Sequence, residues 1–130
     1  MTACPTNTVI LLLVEDDDVI QNVLNDALSE AGFDVVVASN GTKAIAELNA
    51  DGERFKGLIT DIRLGVGPKG WDVGRRAREI VPGMPVIYMS GNSADEWSAN
   101  GVPESIMLQK PFVMAQLITA ITTLLNQATH

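Results

Sequence analysis

The sequence is poor in residues on which several kinds of function depend. It has one cysteine, Cys4, so an internal disulfide and a cysteine-rich metal site are both excluded. Its one histidine, His130, is the last residue, a position from which histidine-based catalysis is implausible. Lysine and arginine number 9 against 16 aspartate and glutamate residues, and the resulting net charge of −7 argues against non-specific binding of nucleic acid.

Long hydrophobic runs and targeting signals are also missing. No apolar run approaches the roughly 18 residues of a membrane span, and the first eight residues, MTACPTNT, lack the basic and apolar regions of a secretory signal. We therefore expect a cytoplasmic protein that has neither a membrane nor a nucleic acid as a partner. The 130 residues, 46% of them hydrophobic, suit one globular domain. We predict an N-terminal tail over residues 1–8 and a single domain over residues 9–127.

Short apolar segments alternate with helical patterns five times along the chain. The apolar segments predict strands at residues 9–14, 35–38, 57–60, 85–89 and 105–109. Helical spacing or capping residues predict helices at residues 19–31, 40–50, 71–81, a short one after Ser93 that carries Glu96 and Trp97, and one from Phe112 onward. This alternation predicts an α/β fold, a five-stranded doubly wound parallel sheet of flavodoxin-like strand order 2-1-3-4-5.

Polar side chains stand at the carboxyl ends of four predicted strands. Glu15 and Asp16 follow the first strand, Asp61 the third, Ser90 the fourth and Lys110 the fifth. Ligands of doubly wound sheets bind beyond these ends, so we expect the five side chains to converge there. Three carboxylates in one place repel one another, and a Mg²⁺ ion with its preference for oxygen ligands removes that conflict. A carboxylate beside Mg²⁺ and a lysine can attack phosphorus and form an acyl phosphate.

Four segments that contain these residues resemble the receiver domain of two-component response regulators. They are LLLVEDDD, LITDIRL, VIYMSG and LQKPF, and the resemblance extends over about residues 8–127. It implies that Asp61 accepts a phosphoryl group from a histidine of a sensor kinase or a phosphotransfer protein. It also implies catalytic roles for Ser90 and Lys110, and a Lys110–Pro111 bond that is often cis.

The same resemblance implies a metal site for Mg²⁺ or Mn²⁺. Its ligands would be Glu15, Asp16, Asp61 and the backbone carbonyl of Arg63, with Asp16 a more direct ligand than Glu15. On this reading the protein is a signalling module in a phosphorelay and not an enzyme.

The sequence departs from the family pattern in two places. Leu64-Gly65 stands where the family commonly has Met-Pro, and the chain continues in a glycine-rich loop that spans residues 65–70. Met107 occupies the position of the aromatic residue that usually moves together with the hydroxyl at Ser90. We place Ser90, Trp97 and Met107 at the switch and output surface, and we expect that surface to be atypical.

Simpler interpretations of single residues stay open. Asp61 can be an ordinary acid at the end of a strand, Ser90 a turn residue and Lys110 a solvated lysine. Trp71 and Trp97 are more typical of packing or partner contact than of ligand stacking.

Three functions follow from these observations. The first is a stand-alone receiver that signals through partner proteins, because Met1 suggests an intact start and the chain stops soon after the fifth helix. The second is a receiver fold that binds a partner without phosphorylation. The third, a small Mg²⁺-dependent phosphohydrolase, is disfavoured because Arg63 stands where such enzymes have a second aspartate.

Overall fold

The computed structural model describes residues 9–91 and 97–128. Within them lie five strands and five α-helices in alternation, with a short 3-10 turn at Gly52–Arg54. Their bounds are β1 Ile10–Val14, α1 Asp18–Glu30, β2 Asp34–Ala38, α2 Gly41–Asp51, β3 Gly57–Asp61, α3 Gly70–Ile80, β4 Val86–Ser90, α4 Trp97–Asn100, β5 Ile106–Gln109 and α5 Met114–Ala128. The strands are all parallel, in the order β2-β1-β3-β4-β5, which confirms the predicted fold. The predicted tail, residues 1–8, and the proposed helix residues Ser93 and Glu96 lie outside the described residues.

The central strands are buried along their length because helices cover both faces of the sheet, and their polar residues, Thr60, Asp61 and Ser90, lie towards their carboxyl ends. Alternate side chains of a strand point to opposite faces, so each strand supplies two separate cores. One core contains Leu12, Val14, Leu58, Val86 and Tyr88 together with Ala44 and Leu48 of α2 and Val73 and Ala77 of α3. The other contains Leu11, Leu13, Ile59, Ile87 and Met89 together with Leu24 and Leu28 of α1 and Leu117 and Ile121 of α5.

Polar residues fix the starts of the first two helices. The side chain of Asp17 accepts hydrogen bonds from the backbone amides of Val19 at 2.9 Å and Ile20 at 3.0 Å. Asn40 accepts from the amide of Lys43 at 2.8 Å and begins α2 in the same way. Gly32, with φ of 100°, follows the end of α1 in the left-handed conformation that glycine adopts without strain.

The last helix begins slightly later than predicted. The helical pattern suggests a start near Phe112, whereas α5 begins at Met114. The side chain of Gln116 accepts a hydrogen bond from the amide of Val113 at 2.9 Å and so occupies one of the free donors at the helix start. The Lys110–Pro111 peptide bond, which precedes this turn, is cis.

Sheet register brings the ends of the strands to one edge. Val14 pairs with Thr60, Asp61 with Met89 and Ser90 with Gln109. Residues that directly follow these pairs must therefore lie near one another. Among the described residues no helix is long and apolar enough to span a membrane.

Candidate functional site

Three carboxylates meet at the carboxyl edge of the sheet. Glu15 and Asp16 follow β1, Asp61 ends β3, and each offers an oxygen atom within 4.8 Å of the others. Glu15 and Asp61 are buried, whereas Asp16 is exposed. An all-oxygen set that is open on one side suits a hard divalent cation, which retains some of its water. The donor atoms present therefore fit the predicted metal.

Lys110 joins the carboxylates from the end of β5. Its Nζ atom lies 3.0 Å from Oδ2 of Asp61 and 3.4 Å from Oε1 of Glu15. Burial alone would lower the pKa of this ammonium, but the hydrogen bond and charge of Asp61, with those of Glu15, outweigh burial and raise it. Lys110 therefore stays protonated, and its interpretation as a solvated surface lysine is wrong.

Glu15 is the carboxylate that resists ionisation. Burial, as the largest cause, raises its pKa to about 7 against the opposing hydrogen bond from the Asp17 amide. The negative charge of Asp61 raises this pKa further, and the positive charge of Lys110 lowers it. The repulsion between carboxylates that the sequence predicts therefore adds to a pKa shift whose largest cause is burial.

Backbone hydrogen bonds place Ser90 and Arg63 at the same carboxyl edge of the sheet as the three carboxylates. Ser90 is buried at the end of β4, and its carbonyl oxygen accepts a hydrogen bond from the Lys110 amide at 2.7 Å. The amide of Arg63 lies 3.4 Å from Oδ1 of Asp61, a long hydrogen bond. The structure therefore brings all six predicted site residues to one edge of the sheet.

The two other residues predicted for an output surface lie away from the carboxylates. Trp97 begins α4 and donates from Nε1 to the hydroxyl of Ser105 at 2.8 Å. Met107 is half-buried in β5, paired in register with Tyr88. The Tyr88 hydroxyl accepts a hydrogen bond from the buried amide of Val102 at 3.1 Å. The pattern of β4 does not predict a role for Tyr88, although a buried tyrosine hydroxyl usually has a hydrogen-bond partner.

The glycine-rich loop beside Asp61 is held against the start of α2. A Cβ atom at Gly41 would collide with the carbonyl group of Pro68, so the two backbones approach more closely than a side chain permits. Gly65 and Gly67 have φ of 74° and 102°, which glycine adopts without a steric penalty. At the opposite end of the loop, the amide of Gly70 donates to the carbonyl of Ile62 at 2.9 Å.

The sequence of this domain matches a known family. Residues 11–122 match the family described as the response regulator receiver domain. The chain is a response regulator receiver domain. It is similar to the response regulator receiver protein of Sinorhizobium medicae, with 46% identity, a TM-score of 0.92 and coverage of 95% of this chain and 98% of that one. Receiver domains are signalling modules of two-component systems.

Curated relatives of this receiver differ in length. The response regulator receiver protein CpdR of Brucella abortus is 33% identical over 122 residues, which are 91% of this chain and 98% of CpdR. The transcriptional regulatory protein CusR of Escherichia coli is 34% identical over 119 residues, which are 90% of this chain. The chain spans 51% of CusR, about half its length.

Receiver domains bind Mg²⁺ at an acidic cluster, and this receiver has such a cluster in Glu15, Asp16 and Asp61. The receiver domain of a Pseudomonas aeruginosa sensor histidine kinase has been solved with a magnesium ion coordinated in its active-site cleft. The Pseudomonas domain is 26% identical to this chain, with a TM-score of 0.78. The match covers 92% of this chain and 98% of the Pseudomonas domain.

Proposed function

We propose that this receiver accepts a phosphoryl group on Asp61 from a phosphohistidine of a sensor kinase or a phosphotransfer protein. The observation that carries the proposal is the position of the Asp61 carboxylate between two further acids and the Lys110 ammonium, 3.0 Å away. The like charges around Asp61 disfavour its ionised form, so this arrangement is costly for a carboxylate that has no function beyond contact with solvent. Receiver domains as a family interact with such kinases and phosphotransfer proteins.

Four groups would hold Mg²⁺ or Mn²⁺ at this edge. They are the carboxylates of Glu15, Asp16 and Asp61 and the backbone carbonyl of Arg63. When bound, the cation supplies positive charge that offsets the carboxylates and the phosphoryl oxygens. Asp16, as the exposed member, offers its carboxylate to solvent without prior rearrangement of the core.

The covalent step uses Asp61 as the nucleophile. One of its carboxylate oxygens forms a bond to phosphorus while the bond from phosphorus to the donor imidazole breaks. The imidazole nitrogen keeps the electron pair of the broken bond and takes up a proton from solvent. Lys110 donates to the phosphoryl oxygens, and the hydroxyl of Ser90 hydrogen-bonds to the same oxygens as their charge develops.

We further propose that the protein works as a stand-alone receiver in the cytoplasm. Its near-complete coverage of CpdR supports this, since that relative is itself named a receiver protein. A stand-alone receiver must pass its signal to another protein.

Detection of the endogenous protein by immunoblotting tests the proposal that the receiver stands alone. We expect a band near 13.9 kDa, the mass of this chain, and a much larger band would contradict it.

Labelling with a small phosphodonor tests the assignment of Asp61. Incubation with acetyl phosphate and Mg²⁺ should add one phosphoryl group to the wild-type protein and none to Asp61→Asn. Asp26→Asn removes an exposed carboxylate of α1 and serves as the matched control, which should be labelled like wild type. Equal labelling of Asp61→Asn and wild type would refute the assignment.

A second function, partner binding without phosphorylation, is favoured by Met107. Met107 is half-buried in β5. It lacks the aromatic ring that, in the family, moves together with the hydroxyl at the position of Ser90. If this function is correct, Asp61→Asn binds the protein's partner with unchanged affinity. A pull-down with and without a phosphate mimic separates the two, because phosphorylation-dependent binding appears only with the mimic.

A further inference from the structure

Gln21 of α1 reaches back to the residue that begins the acidic cluster. Its side-chain Nε2 donates a hydrogen bond to the backbone carbonyl of Glu15 at 2.5 Å. This carbonyl stands one residue beyond β1, where the ladder to β3 has ended at Val14. A buried or half-buried carbonyl at a strand end needs a partner from elsewhere, and here α1 supplies it.

Gln21 also makes a backbone hydrogen bond in the turn between β1 and α1. Its backbone amide donates to the carbonyl of Asp17 at 2.9 Å, as the first turn of α1 requires. On the other side of the turn, the Glu15 amide donates to Ala38 of β2 at 3.1 Å. The peptide group between Glu15 and Asp16 is therefore held by the sheet before it and by Gln21 after it.

The orientation of this peptide group decides where the Asp16 carboxylate points. The side chain of Glu15 is fixed separately, by the Asp17 amide at 3.1 Å and by Lys110. Asp16 is exposed. The ψ angle of Glu15 and the φ angle of Asp16, which flank this planar peptide group, determine the direction of the Asp16 side chain. We propose that Gln21 is a positioning residue that sets the Asp16 carboxylate relative to Glu15 and Asp61 for binding a divalent cation.

An amide is well suited to this position. It donates to the backbone oxygen and leaves the carboxylate oxygens of the cluster free to bind a cation. It carries no charge, whereas a lysine or arginine at this point would repel a divalent cation at the acidic cluster. The inference rests on the proposed function, because it assumes that the three carboxylates bind Mg²⁺.

Calorimetric titration with Mg²⁺, without phosphodonor, tests the proposal. Gln21→Met keeps the length of the side chain without its donor, and Gln21→Ala is a second variant of a different shape. Asn22→Ala, an exposed neighbour on the same helix, is the matched control. We expect Mg²⁺ to bind both Gln21 variants about three- to tenfold more weakly, the effect of losing one hydrogen bond. The affinity of Asn22→Ala for Mg²⁺ should stay within twofold of that of wild type.

Thermal unfolding without metal separates positioning from simple stabilisation. If Gln21 only satisfies a carbonyl, its variants unfold at a lower temperature and bind Mg²⁺ with unchanged affinity, which overturns the inference while the proposed function stands. A wild-type protein that binds no Mg²⁺ overturns both. In phosphodonor labelling, the Gln21→Met defect should be several-fold at low Mg²⁺ and disappear at saturating Mg²⁺. A defect that persists at saturation contradicts a role in binding the cation.

Discussion

At the scale of single residues, the buried carboxyl of Glu15 makes stability depend on pH. Its pKa in the folded protein is about 7, above the ordinary value of 4.5. Because the folded state holds this proton more tightly than the unfolded state, the stabilisation is full below about pH 4.5 and is lost as pH rises through about 7. In metal-free protein the melting temperature of wild type should therefore fall across this interval relative to that of Glu15→Gln, which carries no titrating group there.

Melting curves of both proteins from pH 4.5 to 8 measure this difference. Asp26→Asn, which changes an exposed acid on α1, should retain the wild-type slope. If the melting temperature of Glu15→Gln changes with pH as that of wild type does, Glu15 does not titrate between pH 4.5 and 8.

At the scale of secondary-structure elements, Tyr88 connects β4 to the segment that leads into β5. Its hydroxyl is the partner of the buried Val102 amide, so Tyr88→Phe leaves that donor unsatisfied. We expect a loss of about 1–3 kcal/mol in the free energy of unfolding, measured by urea titration. Ser29→Ala removes an exposed hydroxyl from α1 and should change this free energy by less than about 0.5 kcal/mol. Equal effects of the two substitutions would show that the Tyr88 hydroxyl contributes nothing.

The contact of the glycine-rich loop with α2 gives another prediction at this scale. A methyl group at Gly41 would collide with the backbone of Pro68, so Gly41→Ala must displace the loop or the helix start. We expect a loss of about 1–3 kcal/mol in the free energy of unfolding. Gly83→Ala is the control, because its Cβ would meet nothing within 4 Å and the change should be close to neutral. A stable Gly41→Ala protein would mean that the loop adjusts freely.

At the scale of the whole molecule, the sequence predicts which residues share an edge of the sheet. Apolar runs locate the strands, and the parallel topology then places Glu15, Asp61 and Lys110 at the same ends. The contact of Gln21 with Glu15 is not predictable in this way. The helical pattern treats Gln21 as one more polar position, since periodicity describes the face of a helix and says nothing of a backbone carbonyl six residues earlier.

The close approach of Gly41 to Pro68 escapes the sequence for a similar reason. Glycine in a turn is expected for its backbone freedom, whereas here it is required by a neighbour 27 residues away in the chain. Local patterns thus predict the elements and the acidic cluster. The contacts that fix loops around the cluster join distant segments, and only the folded chain shows them.

Chemical trapping of the phosphoryl group tests most directly whether Asp61 is the phosphoacceptor. Protein treated with acetyl phosphate and Mg²⁺ is reduced with borohydride, which converts an aspartyl phosphate into homoserine, and its peptides are sequenced by mass spectrometry. We expect homoserine at residue 61 and aspartate at residues 16 and 26. Unmodified aspartate at residue 61, or homoserine at residue 16, would contradict the assignment of Asp61.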